Sequence, residues 1–293
     1  MLEAACAAAG AQQYPLSALY VVGTPIGNLA DISLRAIHVL SLVDAVACED
    51  TRHSAPLLRH LGLDKPLIAL HQHNEQQASA AVLVRLARGE RVAYVSDAGT
   101  PAVSDPGAGL AAAAHAAGFT VLAIPGASSA VAALSVAGDT LGAGFTFTGF
   151  LAAKGGERAA GIKALAASAA TQVLFEAPHR IEALAASLAE ACGTRRLTLC
   201  RELTKQFETV ATMAAAALPA WLAADANRLR GEFVLVVHAL APTVDADQAA
   251  RHDAMLSTLM RELPLKQAVS LAAELSGAPK NALYSRALLL KAD

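Results

Sequence analysis

Short runs of aliphatic and β-branched residues alternate with alanine-rich stretches through the first half of this chain, and that alternation narrows the fold more than any other feature. The runs fall at residues 19–22, 45–48, 67–70, 92–95 and 120–124. Each intervening stretch is long enough for a helix, and strands joined by helical crossovers lie parallel, so the pattern predicts an α/β domain built on a parallel sheet. The runs are continuously apolar rather than alternating, as expected of strands covered by helices on both faces.

From residue 145 the pattern changes. Strands are expected at 145–150, 172–175, 197–200, 208–212 and 232–238. The third and fourth of these lie too close together for a helical crossover, which predicts an antiparallel pair and therefore a mixed sheet. A length of 293 residues suits about two domains at roughly 150 residues each. The boundaries expected are a loosely held N-terminal tail over 1–16, an N-terminal α/β domain over 17–138, a second α/β domain over 139–241 and a small helical unit over 242–293.

Within the last unit, a polar link at 242–247 precedes helices expected at 249–262, 266–275 and 280–290. The Ser276-Gly277-Ala278-Pro279 turn gives the unit a helix-turn-helix outline. Its acidic and basic residues balance, so a packing or dimerising appendage is the plainer reading beside nucleic-acid binding.

Composition excludes several function classes. Apolar residues make up 55% and charged residues 16%, which describes a chain that fills cores rather than a disordered one. A net charge of -2 lacks the basic footprint of a protein held on nucleic acid by phosphate contacts alone, although a local basic cleft needs only a few arginines and lysines. Cys6, Cys48, Cys192 and Cys200 show no paired spacing, so neither a disulfide framework nor a zinc site is expected, and a reducing, cytoplasmic setting follows. The alanine-rich start has no basic segment typical of a signal peptide, and no apolar run reaches the roughly 20 residues of a membrane span. The His71-Gln72-His73 triplet is by itself a weak ligand set and reads as a solvated loop; no metal is expected.

In open α/β sheets, ligands sit beyond the carboxyl ends of the strands, so the residues just after each run carry the functional information. The first loop is Gly23-Thr24-Pro25-Ile26-Gly27-Asn28-Leu29, which suits either the wall of a nucleotide-like pocket or a turn capped by Asp31 or Ser33. Glu49-Asp50-Thr51-Arg52 follows the second run. A helix cap by Asp50 or Thr51 explains part of it, but not Glu49 and Arg52 beside it. After the fourth run, residues 96–107 (SDAGTPAVSDPG) form a loop longer than the usual ~4–6-residue connection, with turns that expose backbone amides and carbonyls. Pro125-Gly126-Ala127-Ser128-Ser129 then opens a helix, where free amides and hydroxyls can hold a carboxylate or a ribose, or Ser128 can simply cap.

Together, GTPIGNL, EDTR, SDAGTPAVSDPG and PGASS resemble the tetrapyrrole-methylase superfamily, and more narrowly its branch of ribosomal RNA cytidine 2'-O-methyltransferases. The similarity runs from about residue 19 to the C-terminus and includes FTGFL (147–151), FEAPHR (175–180), RELTK (201–205) with Glu208, and GEF (231–233). One departure is Ala152-Ala153-Lys154, where the family pattern has a proline, while Lys154 and Arg158 match.

The resemblance implies a two-domain tetrapyrrole-methylase-like fold with S-adenosylmethionine between the lobes. By position, the cofactor is expected to meet Thr24, Pro25 and Ile26; Asp97, Gly99, Thr100, Pro101 and Val103; Ser128 and Ser129; and, at its adenine end, Glu176, Ala177 and the last strand. Candidates for assisting the ribose hydroxyl are Glu49, Asp50, Arg52, Arg201 and Lys205, with Glu202 and Glu208 nearby; structural ion pairs are the alternative. The implied partners are small-subunit ribosomal RNA or the assembled small subunit, and a second copy of the chain as a homodimer. RNA readout is expected from stacking on an unpaired cytidine, and five of the seven phenylalanines lie between 145 and 207, serving either as a stacking wall or as core. Competing readings are a methyltransferase acting on a tetrapyrrole or another small molecule, and a non-enzymatic nucleic-acid-binding module.

Overall fold

The computed structural model describes residues 1–71, 73–241 and 246–292. It divides into two compact units, Met1–Ala239 and Leu240–Asp293.

The first unit begins with α1 (Leu2–Ala9), β1 (Ala18–Val22), α2 (Leu34–Leu42), β2 (Ala45–Cys48), α3 (Thr51–His60), β3 (Leu67–Ala69), α4 (Glu75–Ala87), β4 (Val92–Val95), α5 (Ala108–Ala116), β5 (Thr120–Ile124) and α6 (Ser129–Ala137). The five strands form one parallel sheet in the order β3-β2-β4-β1-β5. Side chains alternate across a strand, so Val46 and Cys48 join the core beneath α2 and α3, while Ala47 faces α4 and α5. On that second side Val82, Leu86 and Leu110 are fully buried, each leucine contributing about 1.5–3 kcal/mol relative to exposure. Burial on both faces holds for β2 and β4. It does not hold throughout β3 and β5, because both lie at sheet edges; Ala69, Thr120 and Ala123 are exposed.

The N-terminal stretch also differs from the expected loose tail. Its alanines favour helix, and in α1 Ala5 and Ala9 are buried against α2, where side chains this small allow close approach. The Tyr14 hydroxyl then donates to the Ala9 carbonyl at 3.1 Å, fixing the link into β1.

The chain continues with β6 (Phe145–Phe150), α7 (Gly155–Ala167), β7 (Thr171–Glu176), α8 (Ile181–Cys192), β8 (Arg196–Arg201), β9 (Thr209–Ala214), α9 (Leu218–Ala223) and β10 (Phe233–Val237). The sheet order is β6-β7-β10-β8-β9. Only β6 and β7 run parallel; β8 and β9 form the antiparallel pair, and β10 is antiparallel to both neighbours, giving a mixed sheet. Leu174, Leu199 and Leu235 face α8 and α9. The opposite face, with Val173, Cys200, Val234 and Val236, packs on Ala130, Ala133 and Ala137 of α6. A helix that leaves the first sheet therefore buries its small-residue stripe on the second, which sets the α6 N-terminus where the two sheets meet.

The second unit, described by itself, consists of α10 (Ala246–Glu262), α11 (Leu265–Ser276) and α12 (Lys280–Ala292) around Leu256, Val269, Ala272, Leu283 and Ala287. Gly277 ends α11 in the left-handed region at φ 68°, which lets the chain reverse into α12. Arg286 grips Asp253 through two bonds of 2.7 and 2.6 Å. In the expected link, residues 242–245 lie outside the described residues, as does Gln72 of the histidine triplet.

Candidate active site

Because the first sheet is parallel, the loops after β1, β2, β4 and β5 all leave from one edge. Three of them are laced together by backbone. Thr24 and Gly99 exchange N–H···O bonds of 2.9 and 3.1 Å, joining the loops after β1 and β4. The Thr100 hydroxyl donates to the Ala127 carbonyl at 3.1 Å, joining the loops after β4 and β5. Gly23 and Gly126 cross in direct contact: a Cβ on Gly23 would stand 2.8 Å from Gly126 Cα, and one on Gly126 would stand 2.6 Å from Gly23 O. Side chains are excluded there by space.

These loops form one wall of a cavity of about 410 Å³, with the second sheet opposite. Ile26, Gly99, Thr100 and Val103 face Glu176, Ala177, Phe233 and Val234, and Ser128 and Ser129 close one side. The volume lies in the range of small-molecule sites, ~300–1,000 Å³. Ser128 occupies the N-cap position of α6 but makes no side-chain cap bond, so its hydroxyl is left available.

Glu176 is fully buried at the side chain. Arg180 Nε stands 2.9 Å from its Oε1, and Arg158 Nη1 stands 3.7 Å from Oε2. Oε1 also accepts from the Ala177 amide at 3.0 Å, whereas Oε2 has no hydrogen-bond partner. An unsatisfied buried carboxylate oxygen on a cavity wall calls for a donor, and the adenosyl moiety carries several. The residues present therefore fit the methyl donor that the resemblance implies.

A second cavity, of about 350 Å³, adjoins the first and shares Ile26, Ala98 and Glu232 with it. Thr24, Pro25, Asp97, Lys205 and His53 line it. The Lys205 stem passes over Gly27, where a Cβ would lie 2.5 Å from Lys205 Cγ. Its ammonium is held by Glu202 at 2.9 Å and Glu232 at 3.0 Å. Burial alone would lower the Lys205 pKa, but the two carboxylates outweigh it and raise the pKa. Glu202 and Thr204 hold left-handed backbone at φ 53° and 67°, a strained geometry for such residues that recurs at functional sites.

The other charged candidates lie beside these cavities rather than in their walls. Asp50 caps α3, accepting from the Arg52 amide at 2.8 Å, and pairs with the Arg52 guanidinium at 2.6 Å, which holds its pKa at about 2. The Arg52 side chain is 87% exposed. Glu49 is half-buried, and burial, then the Asp105 and Asp97 charges, raise its pKa. Arg201 donates to the Arg230 and Phe207 carbonyls at 2.6 and 3.1 Å, bracing the loop that carries Lys205. Pro101 is buried and lines neither cavity. Among the described residues no group of three or more potential ligands could hold a metal ion, and no helix is long and apolar enough to cross a membrane.

Sequence reasoning missed His53, Asp105 and Leu203 as cavity residues, and reached Phe150 and Phe175 only among the aromatic residues of the second domain and Glu232 only as part of the last strand. His53 follows Arg52 directly, but it sits inside the first turn of α3 rather than in the loop, so a reading of strand-end loops does not reach it. Phe147 packs against the α6 core, Phe150 lines the larger cavity, and Phe175, with its ring centroid 5.6 Å from that of Phe150, does both, while Phe145 and Phe207 are exposed.

A parallel sheet and a mixed sheet sharing one ligand-sized cavity are the architecture of a known methylase family. The model of the Tetrapyrrole (Corrin/Porphyrin) Methylases matches residues 18–219, and the chain belongs to that family. The uroporphyrin-III-C-methyltransferase from Thermus thermophilus has the same fold, with a TM-score of 0.55 and 24% identity over 76% of this chain and 94% of its own. Within the family the similarity narrows. The model of the RsmI C-terminal HTH domain matches residues 245–291. Ribosomal RNA small subunit methyltransferase I of Pseudomonas aeruginosa is 46% identical over 92% of this chain and 96% of that protein. Its counterpart from Escherichia coli O157:H7 is 45% identical over 92% and 94%. The chain is a member of the ribosomal RNA small subunit methyltransferase I group.

Proposed function

We propose that this protein transfers a methyl group from S-adenosylmethionine to the 2'-hydroxyl of a cytidine in small-subunit ribosomal RNA, free or assembled into the subunit. The observation that carries this reading is the 46% identity, across nearly the full length of both chains, to a protein named for small-subunit ribosomal RNA methylation. The donor supplies a methyl group already made electrophilic by its sulfonium, so the protein's work is to bind, align and exclude water.

In this reading Ile26, Gly99, Thr100, Val103, Ser128 and Ser129 hold the donor from the first sheet, and Glu176 and Ala177 meet its adenine end. The Oε2 of Glu176, which has Arg158 at ion-pair distance but no hydrogen-bond partner, supports that orientation. Thr24, Pro25, Asp97 and Lys205 border the adjoining cavity, where the ribose would sit, and Pro101 stiffens the loop behind them. The Lys205 ammonium stabilises negative charge developing on the attacking oxygen, with Arg201 bracing its loop. Asp50 orients Arg52, whose exposed guanidinium suits an RNA phosphate, and Glu49 adds negative potential near the donor's positive centre. The protein acts in the cytoplasm and as a homodimer, which sedimentation tests.

The deciding experiment supplies tritiated S-adenosylmethionine with small subunits, free ribosomal RNA or a tetrapyrrole precursor. Label in RNA that survives as an alkali-resistant dinucleotide is the expected result, because a methylated 2'-oxygen cannot attack its own phosphate. Label only in the tetrapyrrole would overturn the reading.

A further inference from the structure

We propose that His53, oriented by Asp97, accepts the proton of the ribose 2'-hydroxyl in the smaller cavity; the proposal rests on the ribose-methylation reading above. His53 stands in the first turn of α3, one residue beyond Arg52, and its side chain is 65% exposed on the cavity wall. Its Nδ1 lies 2.8 Å from Asp97 Oδ2. An ionised carboxylate only accepts, so the Nδ1 proton points at Asp97 and, in the neutral ring, Nε2 keeps its lone pair. Asp97 is itself fixed, since its Oδ1 accepts the Asp50 amide at 3.1 Å. The pair thus ties the loop after β2 to the loop after β4 and sets the imidazole plane.

The neighbouring groups narrow the choice. Lys205, held between Glu202 and Glu232, is a cation without a lone pair. Glu232 is engaged by that ammonium, and Asp50, just behind His53, is engaged by Arg52. His53 therefore presents an acceptor that no cation on this cavity occupies. Because Ile26 and Ala98 line both cavities, a hydroxyl bound beside His53 adjoins the space assigned to the donor.

The step balances without a further reactant. The hydroxyl O–H bond breaks and its proton passes to Nε2. The oxygen electron pair forms the bond to the methyl carbon, and the sulfur–methyl pair returns to sulfur, leaving a neutral thioether. The imidazolium then releases its proton to water. Lys205, on the same cavity, offsets negative charge on the oxygen during transfer.

The Asp97 hydrogen bond, then its charge, raise the His53 pKa above the ordinary histidine value; Asp50 adds to this and Arg52 opposes it. The imidazolium cannot accept a proton, so methyl transfer rises with pH through that pKa. In Asp97→Asn the acid limb moves to lower pH, since the raising charge is gone.

The test uses the full-length protein, unmethylated small subunits and S-adenosylhomocysteine as the binding probe. Single-turnover rates are measured against pH for wild type, His53→Gln and Asp97→Asn. The His53 ring is titrated by NMR, and probe binding is followed by calorimetry. Expected are a roughly 10²- to 10⁴-fold slower transfer in His53→Gln, probe affinity within about threefold of wild type, and an acid limb in wild type whose pKa matches the NMR titration. A His53→Gln rate within about threefold of wild type, with the limb retained, would overturn the proposal while leaving the substrate reading intact. Wild-type protein that labels no RNA would remove both.

Discussion

Glutamine in place of Glu176 removes a negative charge from between two arginines while keeping the side-chain volume. The carboxylate is 0% exposed, and its partners Arg158 and Arg180 are 13% and 20% exposed. Breaking a buried pair costs about 3–5 kcal/mol, because the remaining charge stays out of water without its counter-ion. The low end applies here, since both guanidiniums retain the Ala152 carbonyl and Arg180 also holds that of Leu151. About 3 kcal/mol is a roughly 100-fold shift in the folded-to-unfolded ratio. With a urea dependence of about 3 kcal/mol per molar for a unit of this size, the unfolding midpoint falls by about 1 M. The same substitution converts a charged acceptor on the cavity wall into a neutral amide, so S-adenosylhomocysteine binding weakens by about 10-fold or more. Urea unfolding followed by circular dichroism and calorimetric titration read the two effects separately. A midpoint within about 0.3 M of wild type would show that the arginines do not depend on this carboxylate, and the reasoning would fail.

Thr100→Trp fills the larger cavity from the loop after β4; S-adenosylhomocysteine binding is expected to drop below calorimetric detection while the circular dichroism spectrum is kept, and unchanged affinity would mean the donor lies elsewhere. Gly126→Ala forces a methyl group to within 2.6 Å of Gly23 O, so the crossing loops must separate; a stability loss of about 1–3 kcal/mol is expected in urea, together with weaker donor binding because Ser128 and Ser129 follow directly. Burial raises the Asp139 pKa, but donors from Thr171, Ala239 and Leu141 outweigh it and leave the folded pKa lowered. A depressed folded pKa gives stability that is complete above the unfolded value of about 3.9 and is lost as pH falls through the folded value; Asp139→Asn should therefore flatten the acid limb of the stability profile, and an unchanged limb would assign acid sensitivity to other groups.

The strands were legible because their signal is local. The runs at 45–48 and 92–95 are the buried central β2 and β4, and the short spacing between 197–200 and 208–212 left no room for anything but the antiparallel β8–β9 pair. The turns were legible for the same reason, since glycine, proline, serine and aspartate announce a loop wherever it lies. Other features depend on what arrives from elsewhere in the chain. Nothing local in residues 129–137 shows that Ala130, Ala133 and Ala137 pack on the second sheet rather than the first, yet that choice places the donor cavity. Ala5 and Ala9 read as a loose tail because their burial comes from packing against α2, some way along the chain. His53 was invisible beside EDTR because its significance comes from Asp97, 44 residues away. Asp50 showed the converse: the cap was readable, and its pairing with Arg52 uses charge that looked catalytic when the sequence was taken alone.

A crystal structure of the full-length protein with S-adenosylhomocysteine is the most direct check. The account predicts the ligand in the 410 Å³ cavity, with its adenosyl group bonded to Glu176 Oε2, its amino-acid end at Ser128 and Ser129, and its sulfur directed toward the space bordered by Ile26, Lys205 and His53. Ligand bound on another face, or in this cavity with sulfur turned away from His53, would contradict it.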